Sequence, residues 1–208
     1  MTIRMHLVGA FGMILCTALA IPLAICAAAA PAAMSCLASG DGALQARVRG
    51  AIDADINWTN DQMSCEGSMR PDRKGIRVTL AGPLTVTAGG KPSQQPLLLR
   101  FVFGISMKDM AAGVAQALPT NLTVILEGQQ QLFATRGDNK CAVEQIEVTP
   151  LLARASQGSG APGAPRAARQ RVHVRGYCTG PASDLQGLQR VLVSTFDFTS
   201  QINSGEDP

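Results

Sequence analysis

Polar and apolar side chains alternate along residues 46–58 with a period of two. Val48, Gly50, Ile52, Ala54, Ile56 and Trp58 fall on one face, and Arg47, Arg49, Asp53, Asp55 and Asn57 on the other. That period predicts a half-buried strand. Thr59-Asn60-Asp61 then reads as a turn, with a return strand over 62–68 and a further strand over 75–87. Pro83 marks an edge or a bulge in that strand. Residues 97–105 are apolar at nearly every position and predict a central strand. Residues 121–127 and 131–136 predict a hairpin around Glu127-Gly128-Gln129-Gln130. Strands over 140–152, 170–178 and 191–199 follow.

Two stretches break this pattern. Ser106-Met107-Lys108-Asp109 has the form of a capping box with Asp in place of Glu, and residues 107–118 have helical composition up to Pro119. Residues 155–168 contain Ser-Gln-Gly-Ser-Gly-Ala-Pro-Gly-Ala-Pro, a composition that cannot pack a core and predicts a mobile loop. About 40 residues follow it, too few for a domain of their own, so the loop joins two paired strands. The expected fold is mainly β: an antiparallel sandwich of about nine strands with one short helix. A small open barrel is the alternative.

Composition adds compartment to fold. The chain has 208 residues, 46% hydrophobic, 16% charged and 4% aromatic, which suits one domain with a core of Val, Leu, Ile and Ala. Arg4 is the only charged side chain among the first 32 residues, and the apolar run 7–25 is followed by small residues ending in Ala30-Pro31-Ala32. This predicts a secretory signal cleaved after Ala32 and a single exported domain over 33–208. An uncleaved anchor is one alternative, because a span needs ~20 apolar residues. Lipidation at Cys26 is another, although Ile25 fits the processing site poorly. Arginine outnumbers lysine and alanine is abundant, which points to a GC-rich bacterial gene and hence a periplasmic or extracellular product.

Four cysteines remain outside the leader: Cys36, Cys65, Cys141 and Cys178. An even number in an exported domain predicts two disulfides. No pair has the close spacing of a zinc site, and His173 is the only histidine beyond the leader. Cys141 begins one strand and Cys178 ends another, so antiparallel pairing joins them. Cys36 pairs with Cys65 by elimination.

Candidate chemistry is sparse. His173 shares a strand face with Arg171 and Arg175, which reads as an exposed histidine rather than a base. Asp53 and Asp55 would lie roughly 6–7 Å apart, within reach of glycosidase spacing, yet Arg47 and Arg49 beside them make a solvated face the plainer reading. Residues 158–163 match G-x-G-x-x-G only by letters, without the strand and helix that motif requires. Arg136-Gly137-Asp138 falls in a turn, and Asn57 and Asn121 begin glycosylation sequons that matter only in a eukaryotic host. No nucleophile-elbow or zinc-protease motif occurs, so no enzyme, metal or cofactor is expected.

Formal net charge is +3, which gives no whole-domain argument for nucleic acid. Charge is uneven, however. No acidic residue lies between Glu147 and Asp184, while Arg154, Arg166, Arg169, Arg171 and Arg175 all do. These five form a candidate patch for anionic lipid headgroups or acidic polymers. Membrane insertion itself would need a retained or lipidated leader. The expected function is a non-catalytic exported module that binds an envelope component or another protein. A small-ligand carrier with an apolar barrel cavity is the alternative, and a hydrolase using His173 with Asp197 comes third.

Overall fold

The structure is a computed structural model that describes residues 35–84, 87–88, 91–92, 97–107, 117–151 and 169–203. Ala33–Pro208 forms a compact unit of its own. Its elements are β1 (Ala43–Gly50), β2 (Ala54–Thr59), β3 (Ser64–Met69), β4 (Gly75–Leu84), β5 (Thr87–Ala88), β6 (Lys91–Pro92) and β7 (Leu97–Ser106). They continue with β8 (Leu118–Glu127), β9 (Gln131–Ala134), β10 (Cys141–Pro150), β11 (Arg169–Cys178), β12 (Ala182–Ser183) and β13 (Arg190–Asn203).

Seven of these strands close a ring, where the alternation alone had favoured a sandwich. Going round it, β13 pairs with β11, β11 with β10, β10 with β8, β8 with β7, β7 with β4 and β4 with β3. The seam is a parallel bridge, Ser68↔Asn203, between β3 and the end of β13. The physical reason for closure lies in β13. At 14 residues it is long enough to serve two partners along each edge: β11 and then β12 on one side, β1 and then β3 on the other. Closure removes most of the free edges that an open sheet would expose. Gly67 stands at the seam. A Cβ there would lie 2.3 Å from the Gln201 carbonyl oxygen, so only glycine lets the strands approach.

Individual elements depart from expectation for local reasons. The strand expected over 46–58 is a hairpin of β1 and β2, turning at Gly50 with φ of 115°. The turn preserves parity, so Leu44, Ala46 and Val48 face Trp58, Ile56 and Ala54 and the alternation runs through it unbroken. Among the described residues there is no helix. The helix expected over 107–118 falls mostly outside the described residues, and Leu118 and Pro119 already belong to β8. The loop expected over 155–168 also lies outside them, as does the leader.

Inside, the few aromatics are concentrated rather than diluted. Phe101, Phe103, Phe133, Phe196 and Phe198 are all fully buried. Phe103 sits 4.8 Å from Phe196 and 4.9 Å from Phe198 across the interior, and Phe101 links it to Trp58 at 5.8 Å. Such tilted contacts add to plain area burial. The Trp58 indole N–H donates to the Pro83 carbonyl at 2.9 Å. The core therefore has an aromatic centre sheathed in Val, Leu and Ile, and not the aliphatic core that a 4% aromatic content suggested.

Two disulfides brace the barrel. Cys141 and Cys178 are register partners at the end of the β10–β11 ladder and are bonded. Cys36 is bonded to Cys65 of β3, which ties the segment before β1 to the ring. Asn60 holds the same segment from the β2–β3 turn: its Oδ1 accepts from the Leu37 and Gly42 N–H groups at 2.7 and 3.1 Å. Both pairings agree with the expected connectivity. Disulfides of this kind belong to an oxidising compartment.

Candidate functional site

Five neighbouring strands, β2, β1, β13, β11 and β10, present their polar positions outward in rows. One row runs Asn57, Gln45, Asp197, Arg175 and Gln145; the next runs Asp55, Arg47, Thr195 and Tyr177. The inward positions of the same strands are the buried Leu44, Ala46, Val174, Phe196 and Phe198. Register thus sets the outer face once the core face is chosen. A shallow cleft of about 560 Å³ lies over these rows.

Most charges on this face are paired with one another; Glu144, which also lines the cleft, belongs to no described ion pair. Asp197 is the hub: its Oδ1 accepts from His173 Nε2 at 2.9 Å and its Oδ2 from Arg175 Nε at 2.9 Å. Partial burial alone would raise the Asp197 pKa, but the hydrogen bonds and positive charge from His173 and Arg175 outweigh it and hold the carboxyl below its ordinary value. Arg49 holds both aspartates of the β1–β2 hairpin, Asp55 at 2.8 Å and Asp53 at 3.4 Å, and Arg47 approaches Asp55 at 3.6 Å. The two aspartates are thus a solvated ion-paired face, as the flanking arginines suggested.

What this arrangement can do follows from what His173 lacks. Acyl or phosphoryl chemistry would need a hydroxyl or thiol beside the free imidazole nitrogen. Among the described residues no Ser or Thr hydroxyl bonds to His173, and both oxygens of its carboxylate partner are occupied. The group is a charge clamp joining β11 to β13. No group of three metal-ligating side chains occurs among the described residues.

The basic patch is only partly assembled as expected. Arg154 and Arg166 lie outside the described residues. Arg171 pairs with Asp41 at 2.9 Å, and Arg175 with Asp197. Their partners come from the segment before β1 and from β13, so a stretch free of acid in sequence meets acid in space. Arg169, the first residue of β11, stays exposed and takes part in no described ion pair.

The remaining motifs are absorbed by structure. Arg136 donates to the Asp184 and Leu185 carbonyls at 3.4 and 3.2 Å. Asp138 accepts from Arg70 and from Asn121 Nδ2, so the Arg-Gly-Asp turn offers neither of its charges freely. The same bond engages the Asn121 amide of the second sequon, while Asn57 of the first is exposed on β2. The letter match at 158–163 lies outside the described residues. Sequence reasoning missed Asp41 as the partner of Arg171; a lone aspartate before a strand carries no signal of which distant arginine it will meet. Comparison with known proteins finds no matching family model, no similar curated protein and no similar solved structure.

Proposed function

We propose that the protein is a non-catalytic module, exported by its N-terminal leader, that binds an envelope component or a partner protein through its surface. The observation that carries this reading is the filled interior. The rings of Phe101, Phe103, Phe196 and Phe198 occupy the barrel where a carrier would keep its ligand. The outer face supports it as well: it is broad, polar and rich in charge, with His173, Arg175 and Asp197 joined in one clamp. Both disulfides fit the exported setting.

The test is retention of the Ala33–Pro208 unit on envelope fragments from the producing cell. Saturable retention, absent with an unrelated disulfide-bonded domain, is expected. Equal retention of the two would refute the reading. A second reading, a small-ligand carrier, draws on one observation: a cleft of about 700 Å³ at the barrel end near the start of β13, lined in part by Ile52, Leu84, Leu97 and Leu126. Extraction of the native protein with organic solvent, followed by mass spectrometry, would favour it if one apolar compound came away at stoichiometric amount.

A further inference from the structure

The barrel end that holds the C-terminus of β13 combines an apolar cleft with positive charge that belongs to no ion pair among the described residues. Met69, Ile76, Met107, Val148 and Ile202 line a cleft of about 360 Å³ there. Met69 and Ile76 are register partners, and Val148 is the partner of buried Val172. These side chains keep the inward parity of their strands, but the ring ends at their level. Met69 is left 43% exposed as a result.

Two cations line this cleft and two more stand on the outer wall beside it. Arg73 and Lys74 line it directly from the β3–β4 turn. Arg169 and Arg77 lie on one row across the seam, Arg169↔Asn203↔Ser68↔Arg77. All four are exposed, and none belongs to a described ion pair. The acids nearest the turn are already engaged: Arg70 holds Asp72 at 3.1 Å and Asp138 at 3.5 Å. Glu147 lies three residues up its strand from this end, and Glu66 is diagonal to Arg77 on the outer wall with no described ion pair between them. The turn is firmly built, with Arg70 N–H donating to the Gly75 carbonyl at 2.8 Å and Met107 N–H to the Lys74 carbonyl at 2.8 Å.

We propose that this mouth docks on an anionic phospholipid surface, with Arg73, Lys74, Arg77 and Arg169 on headgroup phosphates and Met69 entering the interface. The proposal rests on the envelope-binding reading above and names the partner. Charge complementarity selects an anion, because these cations have no carboxylate of their own among the described residues. The apolar cleft beside them selects an amphiphile. A hydrophilic anion would leave the cleft wet, whereas a bilayer offers phosphates over methylenes in the order that the rim and cleft require.

The test is co-sedimentation of the Ala33–Pro208 unit with vesicles of phosphatidylcholine alone and of an equimolar mixture with phosphatidylglycerol. Binding only to the mixture is expected. It should be released at 1 M salt, where the Debye length falls to about 3 Å. The triple variant Arg73→Gln, Lys74→Gln, Arg169→Gln should bind on the order of a hundredfold more weakly. Met69→Asp should also weaken binding, and both variants should keep the circular dichroism of the wild type. Removing equal charge elsewhere, as Arg100→Gln, Arg136→Gln, Arg190→Gln, should leave most of the binding intact. Equal losses in the two triple variants would overturn the proposal in favour of net charge. Retention on envelope fragments without binding to protein-free vesicles would overturn it in favour of a protein partner, with the broader reading intact. Retention on neither would overturn both.

Discussion

Asp197 shows how much one side chain can settle when two partners reach it from the neighbouring strand. His173 and Arg175 are two apart on β11 and so point the same way, and the register sets both against one carboxylate on β13. Because Asp197 is depressed below its ordinary 3.8 in the folded state, its contribution to stability is present at neutral pH. It fades as pH falls through the folded value, below about 3.8. Asp197→Asn should lower the melting temperature at pH 7 by an amount that corresponds to at most about 1 kcal/mol, since all three side chains are partly exposed. The wild-type and variant melting curves should converge under acid. A gap that widens below pH 4 would contradict this assignment.

At the scale of the element, the decisive features are the points where strands change partner. β8 leaves β9 for β10, and β13 leaves β1 for β3. The second change needs a position without a side chain at the crossing. Gly67 is that position, with the Gln201 carbonyl and the Ile202 side chain both inside 3 Å of the place a methyl group would take. Gly67→Ala should cost about 1–3 kcal/mol through overpacking at the seam. Urea denaturation should show a lower midpoint with an unchanged slope. A stability equal to wild type would mean that β3 does not close on β13. The hairpin of β1 and β2 makes the complementary point: its turn keeps parity, so the period-two pattern that located the strands could not reveal that there were two of them.

At the scale of the molecule, stability depends on contacts distant in sequence. The central rings come from β7 and β13, nearly a hundred residues apart, and their packing joins the two sides of the ring. Phe103→Ala should destabilise by about 3–5 kcal/mol, read by thermal or chemical unfolding. Leu188→Ala, at a position 85% exposed, should stay within about 0.5 kcal/mol of wild type. Comparable losses at the two positions would mean that the aromatic cluster is not the centre of the core.

Sequence by itself determined the local terms of this protein. Period-two alternation marked the strands, because burial on one face of a pleat leaves that trace wherever it occurs. The cysteine positions at strand ends already implied the Cys141–Cys178 bond. The arginines beside Asp53 and Asp55 already implied a solvated face. Tertiary structure alone decided whether the strands form a sandwich or a ring, since both give the same alternation and differ only in which edges meet. It alone brought Asp41 to Arg171 and Asp197 to Arg175, turning part of a linear run of arginines into neutral pairs. It alone placed Arg73 and Lys74 at an apolar mouth and set Arg77 and Arg169 on one row of the wall beside it. Charge along a chain counts neighbours in sequence, whereas recognition depends on neighbours in space, and in a closed barrel the two sets are joined only by the register of its strands.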